Sequence, residues 1–468
     1  MPTVLFAGRS CGWHRFAERG TLNKRTFLKL ASVMTASPLL SRMLAWAEEH
    51  RLTNWSGNLE YSTDHLYPAA TTDDVRRFVK ANEHLKVLGT RHCFNDIANT
   101  SSQFLSLRSQ DKVLHLDAKA RTVMIEAGMS YGQLCPSLDR QGFALHNLAS
   151  LPHISVAGAC TTATHGSGQK NGNLATQVRA LELVTASGEV LQLSRDKDGD
   201  TFCGAVVGLG ALGVITKLTL DIQPTFTMQQ YVYENLPLRE LQDHFDEIEA
   251  SAYSVSFFTD WQKQRVNEVW LKIRTDANPK FVAKPEFFGA TLAKKNLHPI
   301  AEISPENCTE QMGVVGPWYE RLPHFRMGFM PSAGKELQSE YFVPRRHAVE
   351  AILAIERLRD IVGPHLLISE IRTVAADDLW MSTAYHRDSA VLHFTWKQDW
   401  PAVSKVLPEI ERELAPFKPR PHWGKLFTMA PAKLRSRYER LPDFIALAQK
   451  FDPGGKFRNE FLQRNIFA

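Results

Sequence analysis

Apolar positions change period several times along this chain, and each period names an element. Over residues 71–83, Val75, Phe78 and Val79 share one helical face behind Thr71 and Thr72, whose hydroxyls suit an N-cap. Leu85 to Leu88 reads as a short strand stopped by Gly89, and Val123 to Ala127 as a second strand. A helix over Tyr131 to Arg140 follows, with Gly142 to close it. Glu182 to Leu193 has the pattern of a hairpin turning at Ala186-Ser187-Gly188. Thr201 to Val207 reads as helical, and Val214 to Ile222 alternates as a strand. From about Phe226 aromatics become dense (Tyr231, Tyr233, Tyr253, Phe257, Phe258, Trp261, Trp270), and amphipathic helices are expected at 347–360 and 401–415. The pattern predicts short mixed elements first and a second, mixed α/β domain after them.

The chain has 468 residues, enough for two large domains or three ordinary ones. Apolar residues are 44% and charged residues 22%, the balance of a globular protein. No run approaches the roughly 18 apolar residues of a membrane span. Residues 1–47 hold seven Lys or Arg against one Glu, which leaves 48 bases against 49 acids in the rest. The formal +5 therefore belongs to a leader, and the body has no excess to meet a phosphate backbone, so nucleic acid is not an expected partner. Within that leader, Lys24-Arg25-Thr26-Phe27-Leu28-Lys29 precedes an apolar run from Leu30 to Leu40 and the small residues of Ala45-Trp46-Ala47. The order is that of a secretory signal, and the block resembles a twin-arginine export signal with Lys24 in the first arginine's place. Export by that machinery to the periplasm or beyond is the expectation, with a cytoplasmic protein as the alternative. Cys93, Cys135, Cys160, Cys203 and Cys308 show no paired spacing, so neither a disulfide framework nor a metal site is indicated.

Five segments carry candidate chemistry. Gly208-Leu209-Gly210-Ala211-Leu212-Gly213 matches the dinucleotide motif literally, but it follows a helix and precedes a strand. That inverts the context the motif needs, so the glycines are read as permitting close packing. Val156 to Gly168 holds almost nothing large and many hydroxyls, a composition that brings backbone N–H groups close to a ligand; a buried turn would look the same. Gly89-Thr90-Arg91-His92-Cys93-Phe94-Asn95 places a histidine directly after a strand, where neutral imidazole can act as a nucleophile. Glu370-Ile371-Arg372 and His393-Phe394-Thr395 each put two polar side chains on one strand face, with an apolar residue opposite. If those strands are neighbours, four hydrogen-bonding groups share one surface fit for a polyhydroxylated ligand. His422-Trp423-Gly424-Lys425 sets a cation at the end of the second domain.

Taken together, these blocks resemble the alditol (xylitol) oxidases, vanillyl-alcohol-oxidase-type flavoproteins near the sugar-lactone oxidases. The resemblance runs from about Asn54 to the C-terminus. Its further landmarks are Ala149 to Gly158, Thr164 to Gly168 and Asp452-Pro453-Gly454-Gly455-Lys456-Phe457. It implies an α+β, two-domain flavoprotein. Residues 51–225 and 422–468 would form a PCMH-type FAD-binding domain, and 226–421 the substrate (cap) domain. His92 matches the histidine that carries FAD at its 8α carbon. Gly89, Thr90, Arg91, Cys93, Phe94 and Asn95 surround it. Ser150, Ser155, Gly158, Ala159, Cys160, Thr161, Thr162, His165 and Ile215 are the other expected FAD contacts. Cys160 lies beyond the position of the second, cysteinyl link of some relatives, so a single link is expected. Ser150, Glu370, Arg372, Thr395 and Lys425 match substrate-contacting positions, with His393 beside them.

The implied reaction is oxidation of a terminal alditol hydroxyl to the aldose, with oxygen reduced to hydrogen peroxide. Sugars offer no acidic C–H, so the step needs a hydride acceptor that side chains do not supply. Lys425 and Arg372 would stabilise the alkoxide, and His393 is the first choice for its proton. An aldonolactone oxidase or dehydrogenase on the same scaffold is the alternative, since the Ala149 methyl beside Ser150 could restrict oxygen. A nicotinamide dehydrogenase and an exported sugar-binding protein are the more distant rivals.

Overall fold

Thr71 opens the first helix of the fold, Thr72–Ala81, in a computed structural model that describes residues 52–329 and 334–468. The expected leader, 1–47, lies outside the described residues. The cap is reciprocal: Asp74 N–H donates to the Thr71 hydroxyl, and Thr71 N–H to the Asp74 carboxylate. Leu85–Val87 follows as the expected strand and pairs in parallel with Gln103–Ser106, itself parallel to Leu66–Pro68. Beside this small sheet stands a five-stranded antiparallel one. Its order is Val113–Asp117, Thr122–Glu126, Val214–Asp221, Val178–Val184, Val190–Ser194, and it contains the expected hairpin. The glycine motif is set as its context demanded, after the helix Arg195–Val206 and before the strand Val214–Asp221. A Cβ on Gly213 would lie 2.5 Å from the Val184 carbonyl, so that glycine permits strand contact rather than phosphate binding.

The second region is one large antiparallel sheet. Its central strands run Thr227–Pro237, Arg265–Arg274, Ser254–Thr259, Leu366–Val374, Ser389–Lys397, Glu336–Pro344, with Arg420–Pro421 at one edge. Period-two alternation gives each strand two different faces. Leu271, Phe257, Ile371, Leu392, Phe394 and Tyr341 point to one side. There they meet the apolar stripes of three helices, Leu238–Ala250, Ala348–Glu356 and Trp400–Glu413. The opposite face carries Lys272, Glu370, Arg372, His393, Thr395 and Glu340, and it looks onto the first region.

After Arg420–Pro421 the chain returns. Leu85 N–H donates to the Lys456 carbonyl (3.1 Å), and Lys86 Nζ to that of Phe457 (3.2 Å). Leu52–Ala468 thereby form one compact unit, mixed helix and sheet throughout. No helix among the described residues is long and apolar enough to cross a membrane.

Candidate active site

Gly89 ends the strand Leu85–Val87, and the chain turns at Arg91, whose φ is +62°. This turn delivers Thr90, Arg91, His92 and Cys93 to a cavity of about 470 Å³. A second segment meets it through a hydrogen bond from Ser155 N–H to the Thr90 hydroxyl (3.3 Å). From it Ser150, Ser155, Gly158, Ala159, Thr161, Thr162 and His165 line the same wall. Absence of side chains holds the two segments together. A Cβ at Gly158 would lie 2.7 Å from Ser155 Oγ, and one at Gly89 3.0 Å from the same atom.

His92 stands at the head of this wall. Its ring centroid is 4.4 Å from that of Trp55, and its Nδ1 lies 3.2 Å from His153 Nε2. Burial, with His153 and Lys425 nearby, holds its pKa well below the usual histidine value. The imidazole is therefore neutral at pH 7, the nucleophilic form. Its Nε2 makes no hydrogen bond among the described residues.

Opposite lies the polar face of the large sheet. Glu370 pairs in register with His393, and His393 with Glu340 on the next strand, so three ionisable groups form one row across three strands. Glu340 is fully buried, and four cationic or imidazole groups converge on it, His393 among them with Nδ1 3.4 Å from Oε1. Arg372 Nη2 donates to its Oε1 (2.6 Å), Lys425 Nζ donates to its Oε2 (2.9 Å), and His165 Nε2 lies 3.3 Å from Oε2. Burial alone would raise the Glu340 pKa. Lys425, His165 and Arg372 outweigh it and hold the carboxyl well below its ordinary range. For Glu370, burial is likewise outweighed, by Arg372 and His324, so this carboxyl too stays ionised. Lys425 is lowered from the ordinary lysine value by burial, against the pull of Glu340.

Lys425 Nζ also donates to His393 Nδ1 (2.9 Å), and His393 Nε2 lies 2.9 Å from the Thr395 hydroxyl. An ammonium has no lone pair, so Nδ1 is the acceptor and the ring proton sits on Nε2. His393, expected to take the substrate proton, therefore has its one lone pair filled by Lys425. Burial and Lys425 also lower its pKa to about 4.

Of the cofactor contacts expected from the sequence, four side chains do not line the cavity. Phe94 is buried in the core behind the large sheet. Asn95 turns away to donate to the carbonyls of Trp423 (2.8 Å) and Lys425 (2.7 Å), which ties the His92 loop to the segment that carries Lys425. Cys160 lies on the buried face of the short helix Val156–Thr161, with its thiol toward the Leu174 carbonyl and Tyr131. Ile215 sits in the five-stranded sheet opposite Leu183. Conversely, sequence reasoning missed Glu340, His324, Lys272, Trp55 and His153. Glu340 had a signal: Gln338-Ser339-Glu340 is the same period-two polar pair as the two that were read.

The donor set fits FAD. Two glycine-spaced backbone segments face the cavity, His92 offers an unbonded ring nitrogen, and the buried Arg372 Nε makes no hydrogen bond among the described residues.

Two family models match the chain: an FAD binding domain over residues 64–194, and D-arabinono-1,4-lactone oxidase over 324–465. An alditol oxidase of Streptomyces sp. is 46% identical over 415 residues, 88% of this chain and 98% of that protein. An L-gulonolactone oxidase of Bos taurus is 27% identical, covering 89% of this chain and 98% of the relative. Among solved structures, a cholesterol oxidase from B. sterolicum superposes with a TM-score of 0.71 at 15% identity, over 88% of this chain and 96% of that one. A glucooligosaccharide oxidase from Acremonium strictum gives 0.68 at 14%, over 87% and 93%. Those two likenesses show the fold, and the FAD binding domain model marks it as that of a flavoprotein. With the Streptomyces relative aligned along nearly its whole length, the chain belongs to the alditol oxidase family of FAD-dependent flavoproteins, beside the sugar-lactone oxidases.

Proposed function

We propose that this protein oxidises a terminal hydroxyl of an alditol such as xylitol or sorbitol to the aldose, with oxygen as acceptor. The alcohol gives up two electrons and two protons, and oxygen takes them to become hydrogen peroxide. The observation that carries this reading is the row Glu370, His393 and Glu340, with Arg372 and Lys425 on it, facing a wall of backbone and small side chains. The 46% identity to an alditol oxidase supports it. Bound FAD supplies the hydride acceptor.

The residues of the chain do the rest. Two of the three Lys425 N–H groups are used, by Glu340 and His393, which leaves one to meet the substrate oxygen as it becomes an alkoxide. The Glu340 carboxylate keeps that lysine charged in a buried place. Lys425 drawn toward an alkoxide leaves His393 Nδ1, and that nitrogen is then free to take the hydroxyl proton. Glu370, Arg372 and Thr395 bond hydroxyls farther along the chain, and Ser150 faces them from the other wall.

We infer likewise that His92 carries FAD covalently at the 8α carbon. Its neutral ring, held by His153 and Trp55, supports this. The glucooligosaccharide oxidase carries a 6-S-cysteinyl, 8α-N1-histidyl FAD. In this chain Cys160 points into the core, which favours a single link. In domain terms, 51–225 with 422–468 would hold the cofactor and 226–421 would form the cap. Export of the loaded protein, addressed by residues 1–47, completes the proposal; fractionation with and without those residues checks it.

The lactone-oxidase model over 324–465 favours a second reading, an aldonolactone oxidase on the same site. Oxygen uptake and peroxide release on butanol, glycerol, xylitol, sorbitol and galactonolactone decide between them. Alditols should be the best substrates. A lactone as the best substrate would replace the alditol reading, and no uptake on any of them would remove both.

A further inference from the structure

We propose that Lys272 and His324 form a positioning relay that fixes the Glu370 carboxylate and thereby sets the preference for long polyols over short ones. The inference rests on the polyol reading above and adds two residues to it. Lys272 is 1% exposed, on the strand Arg265–Arg274, with one strand between it and Glu370. It does not line the cavity, whereas His324 and Glu370 do. All three of its N–H groups are used inside the protein. Nζ donates to the carbonyls of Leu322 (2.5 Å) and Pro323 (3.1 Å) and to His324 Nδ1 (3.3 Å).

The last of these bonds decides the tautomer. As an ammonium, with three N–H groups and no lone pair, Lys272 can only donate to Nδ1, which leaves the single proton of a neutral imidazole on Nε2. Nε2–H then donates to Glu370 Oε1 at 2.7 Å. Phe258 and Trp270 close on the ring edge to face, each with its centroid 5.2 Å away, so the imidazole cannot swing. Arg372 Nε lies 3.5 Å from the same Oε1. Oε1 is thereby committed to the protein, and Oε2, which makes no hydrogen bond among the described residues, is left for a ligand hydroxyl. Without Lys272, the other tautomer would set a lone pair on Nε2 against the carboxylate, and Glu370 would lose its aim.

Glu370 ends the row Glu370, His393, Glu340 on the side opposite Glu340, the residue to which Lys425 is bonded. Lys425 is tied to the His92 loop through Asn95, whereas Glu370 is tied to His324 on the far segment. The relay therefore governs binding of distant hydroxyls and not the hydride step.

The test measures kcat and KM for xylitol and glycerol at fixed oxygen. It uses the flavin-loaded wild type and Lys272→Met, His324→Leu and His324→Gln, with flavin content and thermal unfolding recorded for each. Lys272→Met and His324→Leu should raise KM for xylitol about 10-fold or more, with kcat little changed and glycerol less affected. His324→Gln should restore most of the preference, because a side-chain amide can accept from Lys272 and still present an N–H to Glu370. The His324 pair carries the test if Lys272→Met does not accumulate as folded protein. The relay is overturned if the xylitol-to-glycerol ratio stays at its wild-type value in Lys272→Met and His324→Leu. Equal losses of kcat on both substrates, or a glutamine variant as poor as the leucine one, overturn it too. A wild type that prefers the lactone brings down the functional reading itself, a result distinct from these.

Discussion

Between Gly89 and His165 the cavity wall is mostly backbone and small side chains around His92, whereas across from it Glu340, Glu370 and Arg372 are buried charge, with Lys425 partly buried beside them. The first wall works by leaving room. Its glycines and hydroxyls let main-chain groups approach a large cofactor, and a Cβ at Gly158 would already crowd Ser155. The second wall works by mutual compensation. Any one of its ions would be costly alone at that depth, and each is kept ionised by the others. The contrast separates holding a cofactor, which needs shape, from reading and activating a polyol, which needs fixed charge.

The sharpest way to break the comparison is to damage one wall and watch the other. His92→Ala removes the only expected attachment atom, so acid-precipitated protein should lose its flavin fluorescence completely, while wild type keeps it. The ratio of xylitol to glycerol rates in flavin-reconstituted His92→Ala should stay as in wild type. Label that persists in the variant would move the link elsewhere and merge the roles of the two walls.

Lys425→Met is the converse. Methionine keeps most of the volume and removes the cation, so the flavin should remain attached while kcat and kcat/KM fall together by ~10²–10³-fold. A change in KM alone would make Lys425 a binding residue. Smaller still, Glu370→Gln should lower kcat/KM for xylitol about tenfold and for glycerol less, because each unpaired polar group costs ~1–3 kcal/mol.

The smallest effect lies behind the polar face. Glu249 is fully buried on the helix Leu238–Ala250, with the Thr373 hydroxyl donating to Oε2 (2.6 Å) and Oε1 without a hydrogen bond among the described residues. Burial pushes its pKa up from 4.5 to about 8, against the lowering by the Thr373 bond. A carboxyl raised on folding favours the native state fully below about pH 4.5, and that contribution is lost as pH rises toward 8. Glu249→Gln should therefore match wild type in Tm near pH 5 and exceed it by a few degrees near pH 8. Equal Tm values at both pH values would mean the carboxyl is not held neutral.

How legible the two walls were follows from the same contrast. The cofactor wall is local in sequence: a strand, a glycine stop and a run of small residues, all readable by composition. The N-cap at Thr71 and the hairpin at 186–188 were readable for the same reason. What local reading could not give was side-chain direction within the loop. Asn95 and Cys160 lie in the right segments, but one turns to the Trp423 and Lys425 carbonyls and the other to the core. The charged wall is non-local. Its two polar pairs were visible by period, yet that Glu370 faces His393, and His393 faces Glu340, depends on strand neighbours 23 and 53 residues apart in the chain. Glu340 carried the same period-two signal and was missed because its strand reads as an ordinary apolar one, Glu336–Pro344, when its partners are unknown.

The central claim is that a polyol reduces the flavin held between these walls and oxygen reoxidises it. Anaerobic mixing of the purified yellow protein with xylitol tests it most directly. Xylitol should bleach the flavin absorbance, and admitting air should restore it with one hydrogen peroxide released per flavin. A protein that galactonolactone bleaches and xylitol leaves yellow would contradict it.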